Sequence, residues 1–554
     1  MAEKKFGSDL IVDSLINHGV PVVFGVPGAK IDRVFERLEH DDAAPQLVVT
    51  RHEQGASFMA QGVARLTGEP GVVIATSGPG VSNLATGLLT ATAEGDAVLA
   101  IGGQVKRADL LKRAHQSMNN AALMAPISKY SVEIEAAETL SETLANAWRI
   151  AKSGKGGASF VSIPQDVTDA EVGVKAIKPL SEPKIGDASI DDINYLAQAV
   201  KNAVLPVILV GAGASDAKVA KSLRTLLTAV KIPVVETFQG AGVISRDLER
   251  TFFGRVGLFR NQPGDMLLKR ADLVIAVGYD PIEYEARNWN AEIDSRVIVI
   301  DDAMAEIDTY YQPERELIGD IAATLDSLLP AIMGYQLPEG SMDYLLGLRQ
   351  LTQLSENPVS ADKGKVHPLD IVGALQEIVH DDETVTVDVG SLYIWMARYF
   401  KSYEPRHLLF SNGMQTLGVA LPWAISAALL RPGRKVYSNS GDGGFLFTGQ
   451  ELEVAVRLKL PIVQIIWDDG HYNMVEFQEI MKYGKSAGVE LGAVDFVKYA
   501  QAMGARGFKA NSADELRTIL SGLTALDGPV VVHVPVDYSD NIKLGETLLP
   551  DEFY

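Results

Sequence analysis

No cysteine occurs in the 554 residues of the chain. That absence excludes disulfides, thiolate metal sites and cysteine nucleophiles, and it is compatible with a reducing compartment. Positive charge is scarce beside negative. Fifty Lys and Arg stand against 71 Asp and Glu, for a net charge of −21. Such a balance argues against non-specific binding to nucleic acid or to anionic membranes. Long apolar runs are missing too: residues 419–430 are too few to span a bilayer and include Pro422. The first ten residues lack the apolar core of a signal peptide, so a soluble cytoplasmic protein is expected. What is present is globular, with 47% hydrophobic and 22% charged residues. The length suggests about three to four domains.

The most informative stretch runs from Tyr437 to Asn473 and reads strand, glycine turn, helix, strand, acidic turn. The first strand leads into Ser440-Gly441-Asp442-Gly443-Gly444. Thr448 and Glu451 have the spacing of a capping box. The run after them places Leu452, Ala455 and Val456 on one helical face. Residues 461–467 form a short apolar run of buried-strand type, followed by Asp468-Asp469-Gly470-His471-Tyr472-Asn473. This is a βαβ unit with an aspartate just beyond each strand, where open α/β sheets bind ligands. Two carboxylates and a backbone carbonyl suit a hard octahedral cation, Mg²⁺, with room left for phosphate oxygens. Gly441, Gly443 and Gly444 let the backbone approach a diphosphate. Either aspartate alone reads equally as ordinary turn chemistry; the pair at two strand ends carries the metal reading.

The stretch resembles the thiamine-diphosphate enzymes. The resemblance implies that Asp442, Asp469 and the carbonyl oxygen of His471 ligate Mg²⁺, and that Gly443, Gly444 and Tyr472 contact the cofactor. Earlier in the chain, strands at 22–28, 47–50 and 71–76 alternate with helices, which implies a parallel sheet. Ser8 is placed to cap the first helix and Gly19 to end it. Glu53 directly follows the second strand. Locally it reads as a helix N-terminal carboxylate that favours the dipole. The resemblance makes it the glutamate that hydrogen-bonds the aminopyrimidine ring, a role that needs a dry carboxyl of raised pKa.

Further segments narrow the likeness. Phe24-Gly25-Val26-Pro27-Gly28-Ala29-Lys30, Arg51-His52-Glu53, Thr76-Ser77-Gly78-Pro79-Gly80 and His115-Gln116-Ser117-Met118 are similar to acetolactate synthases, in the form of the catabolic branch that works without flavin. Gly25 is then a cofactor contact and Gln116 part of the acceptor pocket, while His115 stands where the biosynthetic branch has Phe. Lys30 is either a solvated cation or a charge near the substrate carboxylate or cofactor. Gly211-Ala212-Gly213 is only a fragment of a dinucleotide fingerprint and reads as a structural turn. Residues 253–264 depart from the flavin-binding pattern, so no FAD is expected. Ser391, after the strand at 383–388, could hold diphosphate oxygens or belong to an ordinary turn. Gln415 and Leu417 lie in the segment that folds the cofactor, with Leu417 as the wedge between its rings. Gln478 stands where the biosynthetic branch has Trp, which fits pyruvate as acceptor; locally it reads as a solvated helix residue.

The expected fold is α/β, with three open parallel-sheet domains: pyrimidine-binding over 1–177, central and Rossmann-like over 190–345, and diphosphate- and Mg-binding over 365–554. Residues 178–189 and 354–365 read as linkers. The implied function is catabolic acetolactate synthase: pyruvate loses CO₂ on thiamine diphosphate and the remaining two carbons join a second pyruvate to give 2-acetolactate. The family implies a homodimer at least and usually a homotetramer. Two other readings stay open. A pyruvate oxidase or simple 2-oxo acid decarboxylase would carry flavin or release aldehyde. A nucleotide-binding scaffold would have no use for Glu53, Asp442 and Asp469 together.

Overall fold

A computed structural model describes residues 5–110, 112–181, 183–354 and 362–546. Residues 355–361 of the second expected linker lie outside the described residues. The chain divides into two compact units. One comprises residues 1–183, 421–433 and 448–460; the other comprises 184–420, 434–447 and 461–554.

The first unit is built on a six-stranded sheet. Its strand order is Gln46–Val49, Val22–Val26, Gly71–Ala75, Val98–Gln104, Ala158–Pro164 and Tyr130–Glu133. Every pairing is parallel. The central strands are apolar throughout because helices cover both faces of such a sheet. Gly25 is glycine because a Cβ there would sit 2.1 Å from the carbonyl oxygen of Ile74 on the next strand. The first helix is Gly7–Asn17. Its start is held by Asp9, which accepts from the Phe6 N–H at 2.8 Å, and Ser8 is buried in the first turn instead of capping it. Gly19 follows the helix at φ +65°, the left-handed conformation that glycine adopts freely.

The helix Glu53–Thr67 is almost fully buried, and the segments 421–433 and 448–460 pack on it through glycine. A Cβ on Gly55 would meet Glu451 at 2.4 Å, and one on Gly62 would meet Trp423 at 3.0 Å. The capping box expected from Thr448 and Glu451 does not form, since the Thr448 side chain makes no capping bond. Glu451 is instead fully buried and accepts from the N–H groups of Arg51 and His52 at 3.1 and 3.0 Å. The chain turns once as a 3₁₀ segment, Gly449–Glu451, before the helix Leu452–Arg457. The tighter turn rotates the helical face, so Val454 is buried and Val456 only half-buried.

The second unit contains two more six-stranded parallel sheets. One has the order Phe252–Val256, Val234–Thr237, Pro206–Val210, Leu273–Val277, Arg296–Asp301 and Arg315–Ile318. The other has the order Leu408–Phe410, Thr384–Val387, Val436–Gly441, Ile462–Asp468, Val530–Pro535 and Arg506–Lys509. The α/β class with three open parallel sheets is thus observed. In each sheet the winding reverses beside the first strand in the sequence. That reversal opens a crevice at the carboxyl ends, between Val22–Val26 and Gly71–Ala75, between Pro206–Val210 and Leu273–Val277, and between Thr384–Val387 and Val436–Gly441.

Glu451 gives this packing a pH signature. Burial raises its pKa from 4.5 to about 7, against the pull of the Arg51 and His52 amides. A raised carboxyl pKa in the folded chain contributes stability that is present below the unfolded pKa and lost as pH rises through the folded one. Thermal unfolding of cofactor-free protein should therefore lose stability between pH about 4.5 and about 7, by a few kcal/mol from this residue. Glu451→Gln should flatten that part of the profile. Equal pH slopes in the two proteins would contradict the assignment.

Candidate active site

The crevice of the third sheet concentrates carboxylates. Strand Val436–Gly441 ends directly before Asp442, and strand Ile462–Asp468 ends directly before Asp469. Gly441 pairs in register with Trp467, which brings the two acidic turns side by side. Asp442 is buried, and its Oδ2 accepts from the Gly470 N–H at 3.1 Å. Burial, and then the charges of Asp468 and Asp469, push the Asp442 carboxyl up to about 7. Burial pushes Asp469 up to about 6 despite the His471 N–H beside it. Asp468 is also partly desolvated, but His533 at 2.7 Å outweighs that and holds it below the usual carboxylate range. His471 turns Nδ1 to the carbonyl oxygen of Asp469 at 3.0 Å. Ligand atoms of Asp469, His471 and Glu476 lie within 4.8 Å of one another. Glu476 was not legible as a site residue; it lies three residues into the helix Asn473–Tyr483.

Close approach at this crevice demands glycine. A Cβ on Gly443 would meet the Tyr472 ring at 2.7 Å, and one on Gly444 would meet Asp388 at 3.2 Å. Asp388 itself is 1% exposed and ties two loops together. It accepts from the N–H groups of Gly418 and Val389 at 2.8 and 2.9 Å. Burial still raises its pKa to about 7. Gly418 closes the segment carrying Gln415 and Leu417. Gln415 is held at φ +48°, and Leu417 packs half-buried against the core of this sheet. The Ser391 hydroxyl donates to Asn473 Oδ1 at 2.7 Å and accepts from Asn541 at 2.9 Å. Gln478 is half-buried on the same helix as Asn473.

In the first unit, the turn after Gly71–Ala75 organises the other predicted residues. Gly78 is at φ +69°, and a Cβ on it would be 3.1 Å from Gln116. Gln116 is itself at φ +61°, and its carbonyl oxygen accepts from Ser77 Oγ at 2.7 Å. Asn83, at the end of the helix Pro79–Asn83, donates to Glu53 Oε2 at 2.9 Å. Glu53 and Gln116 thus border one turn. Glu53 opens the helix Glu53–Thr67 and is half-buried, so its own unit supplies only part of the dry environment expected. Lys30 is half-buried after Gly28, whose Cβ would meet Thr76 at 2.5 Å.

The acidic crevice has the donor set of a hard divalent cation: oxygen ligands with unbalanced negative charge at two strand ends. The glycines beside it leave room for a diphosphate backbone contact. The middle sheet's crevice is different. Its Gly211–Gly213 turn is closed by Glu283, which is 1% exposed. The Glu283 carboxylate accepts from the Ala212 N–H at 3.0 Å, the Asp280 N–H at 3.1 Å and Thr237 Oγ1 at 2.6 Å. An internal carboxyl fills the place that phosphates take in dinucleotide-binding sheets.

Comparison with known proteins places all three sheets in one enzyme family. Residues 6–123 match the thiamine pyrophosphate enzyme N-terminal TPP binding domain, 193–328 the central domain and 388–534 the C-terminal TPP binding domain. An acetolactate synthase of Bacillus subtilis (strain 168) is 52% identical over 551 residues, covering 99% of this chain and 96% of that protein. A catabolic acetolactate synthase of Raoultella terrigena is 46% identical over 537 residues, covering 97% and 96%. The chain belongs to the acetolactate synthase family of thiamine pyrophosphate enzymes. In this member of the family, both TPP-binding domains carry one of the crevices described above. No helix among the described residues is long and apolar enough to cross a membrane.

The crowded carboxylates make the acidic crevice a stability liability. Asp442→Asn should raise the melting temperature of the metal-free protein above neutral pH, by the equivalent of about 1–3 kcal/mol. The same change should abolish the further stabilisation that Mg²⁺ with thiamine diphosphate gives to the parent. A variant still stabilised by that pair as strongly as the parent would remove Asp442 from the metal site.

Proposed function

We propose that the protein is a catabolic acetolactate synthase that converts two pyruvates into 2-acetolactate and CO₂, with thiamine diphosphate and Mg²⁺ and without flavin. The observation that carries this reading is the joint presence, in a chain of this family, of Glu53 beside the 77–80 turn and of Asp442 and Asp469 at adjoining strand ends. Asp442, Asp469 and the His471 carbonyl would hold Mg²⁺. The backbone at Gly443 and Gly444 would lie against the diphosphate, and Tyr472 beside it. Ser391 and Gly25 would complete the cofactor's surroundings, with Leu417 as the wedge and Gln415 shaping its loop. Thiamine diphosphate supplies an electron sink for the carbon that loses CO₂.

The residues divide the remaining work. Glu53, oriented by Asn83, holds a proton at the aminopyrimidine. Lys30 places a positive charge where a 2-oxo acid's carboxylate needs one. Gln116 and Gln478 offer neutral hydrogen-bonding groups to the second pyruvate. The self-occupied turn at Glu283 supports the absence of FAD. The proposed working form is a cytoplasmic homodimer at least, with a homotetramer as the fuller assembly. Leu446, Phe447 and Val475, near the acidic crevice in sequence, are 44%, 45% and 49% exposed and would be covered in it.

One incubation tests the reading. Purified protein with pyruvate, thiamine diphosphate and Mg²⁺ should release acetolactate and CO₂ in equal amounts and show no flavin absorbance. Glu53→Gln should lower turnover about 10²–10⁴-fold while leaving cofactor-dependent thermal stabilisation intact. Acetaldehyde or acetate in place of acetolactate would sink the roles given to Gln116 and Gln478.

A further inference from the structure

A cavity of about 1120 Å³ opens in the second unit among the strand Phe252–Val256, the helix Glu339–Leu354 and the end of the helix Ser391–Tyr399. None of its lining residues belongs to the acidic crevice. Its charge runs against that of the whole chain. Six cations line it and one carboxylate, Glu249, in a protein of net charge −21.

Three of those cations are already engaged. Lys401 pairs with Glu249 at 2.6 Å. Arg255 faces the buried Glu236 at 3.4 Å and donates to the Phe400 carbonyl at 2.6 Å. Arg398 donates to the carbonyl of Leu544 at 2.9 Å. The other three are Lys231, Arg250 and Arg349. Among the described residues none of them has a carboxylate within 4.0 Å. Arg349 lies over the Phe253 ring, 4.5 Å from its centroid. Its guanidinium also donates to the carbonyl oxygens of Glu249, at 3.4 Å, and of Arg250, which hold it against the cavity wall beside the Arg250 side chain. Burial lowers its pKa, and the charge of Glu249 offsets this only in part. Apolar surface completes the lining: Met342 and Leu346 are 53% and 59% exposed there.

We propose that this cavity is a binding site for a phosphorylated, ring-bearing metabolite of the nucleotide class, distinct from the cofactor site. Six cations against one carboxylate, three of them with no carboxylate in contact, call for more negative charge than one carboxylate carries, and the exposed Arg250 guanidinium can match phosphate oxygens in pairs. Aromatic rings and exposed apolar side chains provide a flat partner for a base. The volume of about 1120 Å³ lies just above the range of about 300–1,000 Å³ for small-ligand sites. It is therefore far too large for pyruvate or inorganic phosphate alone.

The test is calorimetric titration of the holoenzyme, with thiamine diphosphate and Mg²⁺ saturating so that the cofactor site cannot report. ADP, inorganic phosphate and adenosine are the probes. ADP should bind saturably in the micromolar range, and phosphate or adenosine alone at least about tenfold more weakly. The double variant Lys231→Ala/Arg250→Ala removes two exposed side chains outside the cofactor machinery. It should weaken ADP about tenfold or more, with acetolactate formation in the absence of nucleotide unchanged. Absence of saturable ADP binding at millimolar concentration overturns the proposal. So does phosphate binding as tightly as ADP, or a double variant that binds ADP like the parent.

Discussion

The second unit depends on a concentration of negative charge that its own cations do not balance. Asp388, Asp442, Asp468 and Asp469 lie at the carboxyl ends of three neighbouring strands, and all are buried or half-buried. Asp468 has His533 beside it at 2.7 Å, which with other bonds holds it below the usual carboxylate range. The others are pushed up to about 6 or 7. One pKa unit is about 1.4 kcal/mol, so Asp442 alone makes the ion-free crevice uncomfortable by a few kcal/mol. A sheet end of this kind stores its stability in whatever cation it was shaped to receive. The surrounding geometry serves the same end. Gly443 and Gly444 keep the backbone open beside the acids, and Asp388 locks the Gly418 loop against them through two backbone N–H groups.

Three sheets of one topology end in three chemistries. Each has a crevice where the winding reverses, and topology alone would make each a ligand site. In the first, small turns and the pair Glu53 and Gln116 leave polar side chains facing out, neither of them fully buried. In the third, carboxylates crowd together. In the middle one, Glu283 turns inward and takes the N–H groups of Ala212 and Asp280 for itself. Burial raises its pKa to about 7, so the carboxyl that closes the turn is only partly ionised at neutral pH. Function in this fold is therefore decided by single side chains at strand ends, and a crevice can be retired by one residue.

What the sequence made legible follows the same division. Apolar runs of strand length, each followed by a glycine or acidic turn, identified the strands and located Asp442 and Asp469 correctly at the ends of two of them. Local spacing failed where a polar group's partner is remote. Thr448 and Glu451 have the spacing of a capping box, yet Glu451 serves Arg51 and His52, 400 and 399 residues away. Asp468 reads as one more loop acid until His533 comes beside it across two strands. Asp388 and Glu283 gave no signal at all, because a buried carboxylate looks like an exposed one in a sequence. The apolar alternation around them marks a strand end; it does not say which way the carboxylate turns.

Backbone strain marks the candidate site independently of charge. Among the described residues only five non-glycine residues have positive φ, and two of them are Gln116 and Gln415. A side chain in that conformation costs of order 1–3 kcal/mol, and glycine would remove the cost. Each strained turn is pinned from outside. Ser77 donates to the Gln116 carbonyl, and Asp388 holds Gly418 three residues after Gln415. Both glutamines lie on loops that border a crevice, one in each unit. At the third sheet, the strain at Gln415, the buried Asp388 and the close approach at Gly444 meet beside one crevice. That convergence locates the site more firmly than any one of the three, because each arises from a different physical cost.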